Sequence, residues 1–116
     1  MRAVLFWGHA PNSQSRGKEM VEAMKKLDLL VVIDPYPSAT AAMAAMVRKD
    51  GVYLLPAATQ FETSGSVTAS NRSLQWREKV IEPVFECKPD QTVMYLLAKK
   101  LGFADQLVGK KDGKQN

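Results

Sequence analysis

The 116-residue chain has one cysteine, Cys87, and one histidine, His9. An internal disulfide is excluded. One thiol and one imidazole also cannot by themselves build a structural zinc or iron–sulfur site. Long apolar runs are missing: segments such as Leu29–Ile33 are of strand length, far short of a membrane span, so no direct membrane insertion is expected. No arginine or lysine cluster is interleaved with aromatics, which argues against nucleic acid as a partner. Sixteen basic and twelve acidic residues give +4, and residues 109–116, with three lysines and one aspartate, carry +2 of it. The rest is close to neutral. The glycine pattern G-x-G-x-x-G is absent from the first loop, which argues against an ordinary nicotinamide dehydrogenase. The N-terminus has one arginine, a short apolar run and no convincing cleavage site, so it reads as a strand rather than a signal peptide. A buried strand starting at once is what an internal segment of a longer chain looks like.

What is present suits one globular domain, with 46% hydrophobic and 24% charged residues. Ala3 to Trp7 and Leu29 to Ile33 are continuous apolar runs stopped by Gly8 and by Asp34-Pro35, as expected of strands buried on both faces. Between them Met20, Met24 and Leu27 recur at helical spacing over residues 18–27. Ser38 is a good N-cap for an alanine- and methionine-rich helix over about 39–47. Asp50-Gly51 is a turn before a third strand, residues 52–55. This alternation predicts an α/β fold: a small three-layer Rossmann-like domain, its mainly parallel sheet flanked by helices on both faces, spanning residues 1–108, with a polar basic tail at 109–116. Residues 57–71 read as one long Thr-, Ser- and Gly-rich loop, residues 74–81 as an extended segment. Asp90 reads as the N-cap of a last helix ending near Leu101, with Gly102 as its stop.

Open α/β sheets bind ligands at the carboxyl ends of their strands. Three loops fall there: residues 8–12, residues 34–38 and residues 56–65. Asp34 could accept hydrogen bonds from ribose hydroxyls, or simply cap a turn before proline. Ser38 could meet a phosphate or only cap its helix. His9 has no partner base or nucleophile at suggestive spacing and reads as a loop residue against ligand or backbone. Glu62 and Thr63 fit a site or the ordering of their own loop. Cys87 reads as an incidental thiol, and the methionines and aromatics as core or interface residues.

The runs FWGHAPNSQSR, LDLLVVIDPYPSATA and YLLPAATQFETSGSVTASNRSLQWREKV resemble the catalytic subunits of formate dehydrogenase-N-type enzymes, of the dimethyl-sulfoxide-reductase family of molybdopterin oxidoreductases. The resemblance covers about Ala3 to Val108. It implies a bis(molybdopterin guanine dinucleotide) cofactor carrying molybdenum or tungsten, with this segment in the second of two related α/β domains that each receive a guanosine tail. By position, the guanosine contacts fall on Gly8, His9, Ile33, Asp34, Ser38, Glu62, Thr63 and Asp90. The implied partners are the remainder of the catalytic subunit, an iron–sulfur electron-transfer subunit and a membrane cytochrome b subunit. The implied location of the intact enzyme is periplasmic; expressed alone, the chain is expected in the cytoplasm. Arg48-Lys49-Asp50-Gly51 stands where many relatives have Ala-Asp, and Pro11 and Ala58 stand where close relatives often have cysteine. The family's selenocysteine or cysteine metal ligand, its adjacent histidine and arginine, and its four cluster cysteines have no counterpart here. The chain alone is therefore not expected to oxidise formate. A free-standing nucleotide-binding module and a ligand-free interaction domain remain as alternatives.

Overall fold

A computed structural model describes residues 1–9, 15–108, 110–111 and 114–115, the last two pairs as backbone only. The chain divides into two compact units, Met1–Ala57 and Ala58–Asn116.

The first unit runs β1 (Ala3–Trp7), α1 (Gly17–Met24), β2 (Leu29–Asp34), α2 (Ala39–Val47), β3 (Tyr53–Pro56). All pairing is parallel, in the order β1-β2-β3. Leu5 stands beside Val31, and Val31 beside Tyr53. The apolar runs thus form the expected α/β sheet flanked by helices.

The two crossover helices share one face of this sheet rather than taking one each. Both crossovers move along the sheet in the same direction, and right-handed connections that do so return on the same side. Even-numbered strand residues Val4, Phe6 and Leu30, with Val52 just before β3, accordingly pack with Met20, Met24 and Leu27 from the first connection and Ala44 from the second. On the odd-numbered face Leu5, Leu29, Tyr53 and Leu55 are exposed, Tyr53 by 64%.

Helix α1 stops at Met24, short of the expected Leu27, and turn bonds from Lys26 to Ala23 and Leu27 to Met24 follow it. The cause is Arg48, 8% exposed. Its Nη1 donates to the carbonyls of Met24 (2.6 Å) and Leu27 (2.7 Å), and its Nε to that of Gly51 (2.6 Å). A longer bond runs from Nη2 to the Asp28 carbonyl, 3.4 Å. One guanidinium thus satisfies carbonyls freed at the end of α1 and ties them to the turn before β3. At the other helix Ser38 is the N-cap, as expected, its Oγ accepting from the Ala41 N–H at 3.4 Å.

The second unit begins with an antiparallel hairpin, β4 (Gly65–Thr68) and β5 (Leu74–Arg77). The long loop expected over 57–71 is therefore interrupted by a strand. With only Val67 apolar in Gly-Ser-Val-Thr, that strand carries no alternation to reveal it. Its turn is closed by Ala69 N–H to the Ser73 carbonyl, and by the Asn71 side chain accepting from the Ser73 N–H at 3.1 Å.

The last long helix, α3 (Asp90–Leu101), starts one residue earlier than an Asp90 cap requires. Pro89 occupies the cap position, there is no side-chain cap bond, and Asp90 stands in the first turn, where the helix dipole favours a carboxylate. Its end is as expected: Gly102 at φ 83, with Gly102 N–H to Lys99 and Phe103 N–H to Ala98, closes a Schellman motif. A short helix α4 (Ala104–Leu107) follows. In the stretch expected to be a tail, β6 (Lys110–Lys111) pairs with β7 (Lys114–Gln115). Residues 109, 112, 113 and 116 of that stretch lie outside the described residues.

Two substitutions test these arguments. Arg48→Met strands buried carbonyls and is expected to lower stability in urea denaturation by about 3 kcal/mol, with Arg48→Lys recovering only part because an ammonium cannot span the same acceptors. Phe85 sits at φ 54 with its side chain wholly exposed. Phe85→Gly removes the left-handed penalty without losing packing, and the same titration should show a gain of roughly 0.5–1 kcal/mol.

Candidate functional site

At the carboxyl ends of the parallel strands the first unit brings five of the anticipated residues together. β1 ends at Trp7, and Gly8 turns the chain at φ 55 while its N–H donates to the Ile33 carbonyl at 2.9 Å. Among the described residues, its chain neighbours aside, no atom lies within 4 Å of where a Gly8 Cβ would stand. His9 follows, exposed, its ring 6.5 Å from that of Phe6. Residues 10–14, the rest of the anticipated loop and Pro11 with it, lie outside the described residues. Ile33 is buried in the central strand.

Asp34 closes that strand in register with Pro56. Its backbone carbonyl accepts from the Ala57 N–H at 3.2 Å, which ties the ends of β2 and β3. Its Oδ1 accepts from the Tyr36 N–H at 3.1 Å, an Asx turn that aims the chain toward Ser38. Turn-capping is therefore part of what Asp34 does. The same bond fixes the carboxylate at the strand end, half-buried, where a ligand edge would lie.

The second unit gathers the others. Glu62 is 5% exposed, and its oxygens serve its own surroundings. Oε2 accepts from the Thr59 N–H at 2.6 Å, and Oε1 from the Val84 N–H at 2.8 Å and the Cys87 Sγ at 3.4 Å. The Thr59 backbone N–H, then the Thr59 side chain and the Val84 N–H, hold the Glu62 carboxyl down to about 2, against the opposing effect of burial. Burial first, then the bond to Glu62 and its charge, pushes the Cys87 thiol up. Thr63 donates through Oγ1 to the Thr59 carbonyl at 3.5 Å.

Beside this knot lies a polar cleft of about 320 Å³, lined by Glu62, Thr63, Ser64, Lys79, Glu82 and Gln91 among others. Asp90 follows Pro89 and precedes Gln91, both of which line it. Ser64, Lys79 and Gln91 were not anticipated. Ser64 holds the wall, its Oγ accepting from the Lys79 N–H at 2.9 Å, while Lys79 pairs with Glu82. Ser64 and Lys79 are fifteen residues apart in the chain, and no local spacing announces their contact.

Among the described residues no group of three His, Cys, Asp or Glu side chains is placed to hold a metal ion, and no helix is long and apolar enough to cross a membrane.

A parallel sheet with an acidic residue closing its central strand and a glycine turn beside it places these residues at the strand ends where open α/β sheets take ligands. Comparison with known proteins makes this specific. Residues 2–100 match the molybdopterin oxidoreductase family, and the chain belongs to it. It is 36% identical over 89 residues to the alpha subunit of a formate dehydrogenase from Methanocaldococcus jannaschii, covering 77% of this chain and 12% of that protein. Putative formate dehydrogenases from Staphylococcus haemolyticus (34% over 80 residues) and Staphylococcus aureus (35% over 81) cover 69% and 70% of this chain. The matches span 7% and 8% of those two proteins, so the chain corresponds to a small part of each relative's length.

Two measurements check the Glu62 knot. Because its folded value lies below the ordinary 4.5, the stabilisation it gives is full above that pH and is lost as pH falls toward 2. The stability gap between the parent chain and Glu62→Gln should be widest near neutrality and close across that window in denaturation at stepped pH. The raised thiol should make Cys87 alkylate more slowly than free cysteine at pH 8, with urea restoring the ordinary rate.

Proposed function

We propose that this chain is part of the catalytic subunit of a formate dehydrogenase and holds the guanosine end of a bis(molybdopterin guanine dinucleotide) cofactor. The observation that carries the reading is Asp34, fixed by its turn at the end of the central parallel strand, in a chain of the molybdopterin oxidoreductase family.

The residues present fit such a tail. A carboxylate is acceptor-only and can take both ribose hydroxyls, as acidic residues at this position do in nucleotide-binding sheets. The Gly8 turn stands beside it at the strand ends, and Ser38 offers a hydroxyl in the next loop. His9 and the backbone of Ile33 border the same strand ends. In the second unit, taken by itself, Asp90 in the first turn of α3 and the Thr63 hydroxyl beside the polar cleft are candidate cofactor contacts that the family resemblance suggests. Glu62 would act at one remove. Its carboxylate is occupied by Thr59, Val84 and Cys87, so it positions the loop that presents Thr63.

When bound, the cofactor supplies the redox chemistry, taking two electrons as formate becomes carbon dioxide. The part of these residues, on this reading, is to bind and orient the tail. On this reading the metal is molybdenum or tungsten, and its ligands come from the remainder of the catalytic subunit. The electrons leave through an iron–sulfur subunit and, in an enzyme of the formate dehydrogenase-N type, a periplasmic complex with a membrane cytochrome b subunit.

Titration of the chain with GDP tests the tail site directly. A ligand present at a hundred times its dissociation constant adds about 2.7 kcal/mol of stability. Millimolar GDP is expected to raise the melting temperature of the parent chain and to leave that of Asp34→Ala unmoved. Equal behaviour of the two proteins would overturn the assignment of Asp34.

A further inference from the structure

We draw no further inference here: the strongest candidate, the exposed apolar loop surface of Val80, Ile81, Val84 and Phe85, whose aromatic ring is held outward on a left-handed backbone, carries nothing because nothing in the structure shows what covers it.

Discussion

The first unit depends on a single buried cation that has backbone carbonyls as its bonding partners. A helix that ends inside a small domain leaves carbonyls without donors, and a buried carbonyl left unpaired is costly. Arg48 resolves this for α1 by reaching from the end of α2 to the carbonyls of Met24, Leu27 and Asp28, and on to Gly51. The side chain thereby fixes where α1 ends, where β2 begins and where β3 is entered. That anchorage lies just before the amino ends of β2 and β3, opposite the strand end where Asp34 stands. A guanidinium suits the task because its donors fan out in a plane and remain charged.

The second unit relies on the opposite charge in the same way. Glu62 draws Thr59, Val84 and Cys87 onto one carboxylate, joining two stretches of loop that share no regular pairing. Both units thus use an ionised side chain on main-chain groups where secondary structure runs out. Such bonds are stronger than neutral ones, which lets one residue organise a loop. The sequence left Glu62 as a site residue or as one that orders its own loop, and the geometry gives it the second task, which stands whether or not a ligand is bound.

The parallel sheet was legible because its strands are short, apolar and stopped by glycine or proline, a pattern that few other structures produce. Ser38 and Gly102 were legible for a similar reason: capping chemistry is local, and the residue names its own role. Strand β4 was not, since Gly-Ser-Val-Thr has no apolar alternation and is held by its partner β5. Arg48 was noticed only as a departure from relatives, because two of its acceptors, Met24 and Leu27, lie more than twenty residues away. At the candidate site, Asp34 and the Gly8 turn could be placed from strand ends alone. The cleft beside Thr63 could not, since Lys79 and Gln91 reach it through tertiary folding.

The strand order has a geometric consequence for the carboxyl ends of the strands. In doubly wound sheets the binding crevice opens where successive connections reverse direction, so that two diverging loops form its walls. The strands β1-β2-β3 wind one way throughout, with both connections on the even-numbered side. Among the described strands this sheet has no point of reversal. What Gly8, Asp34 and Ser38 border is one wall of a crevice, and the charge-free side of the sheet that shows Leu5, Tyr53 and Leu55 is the side that a reversed connection would cover.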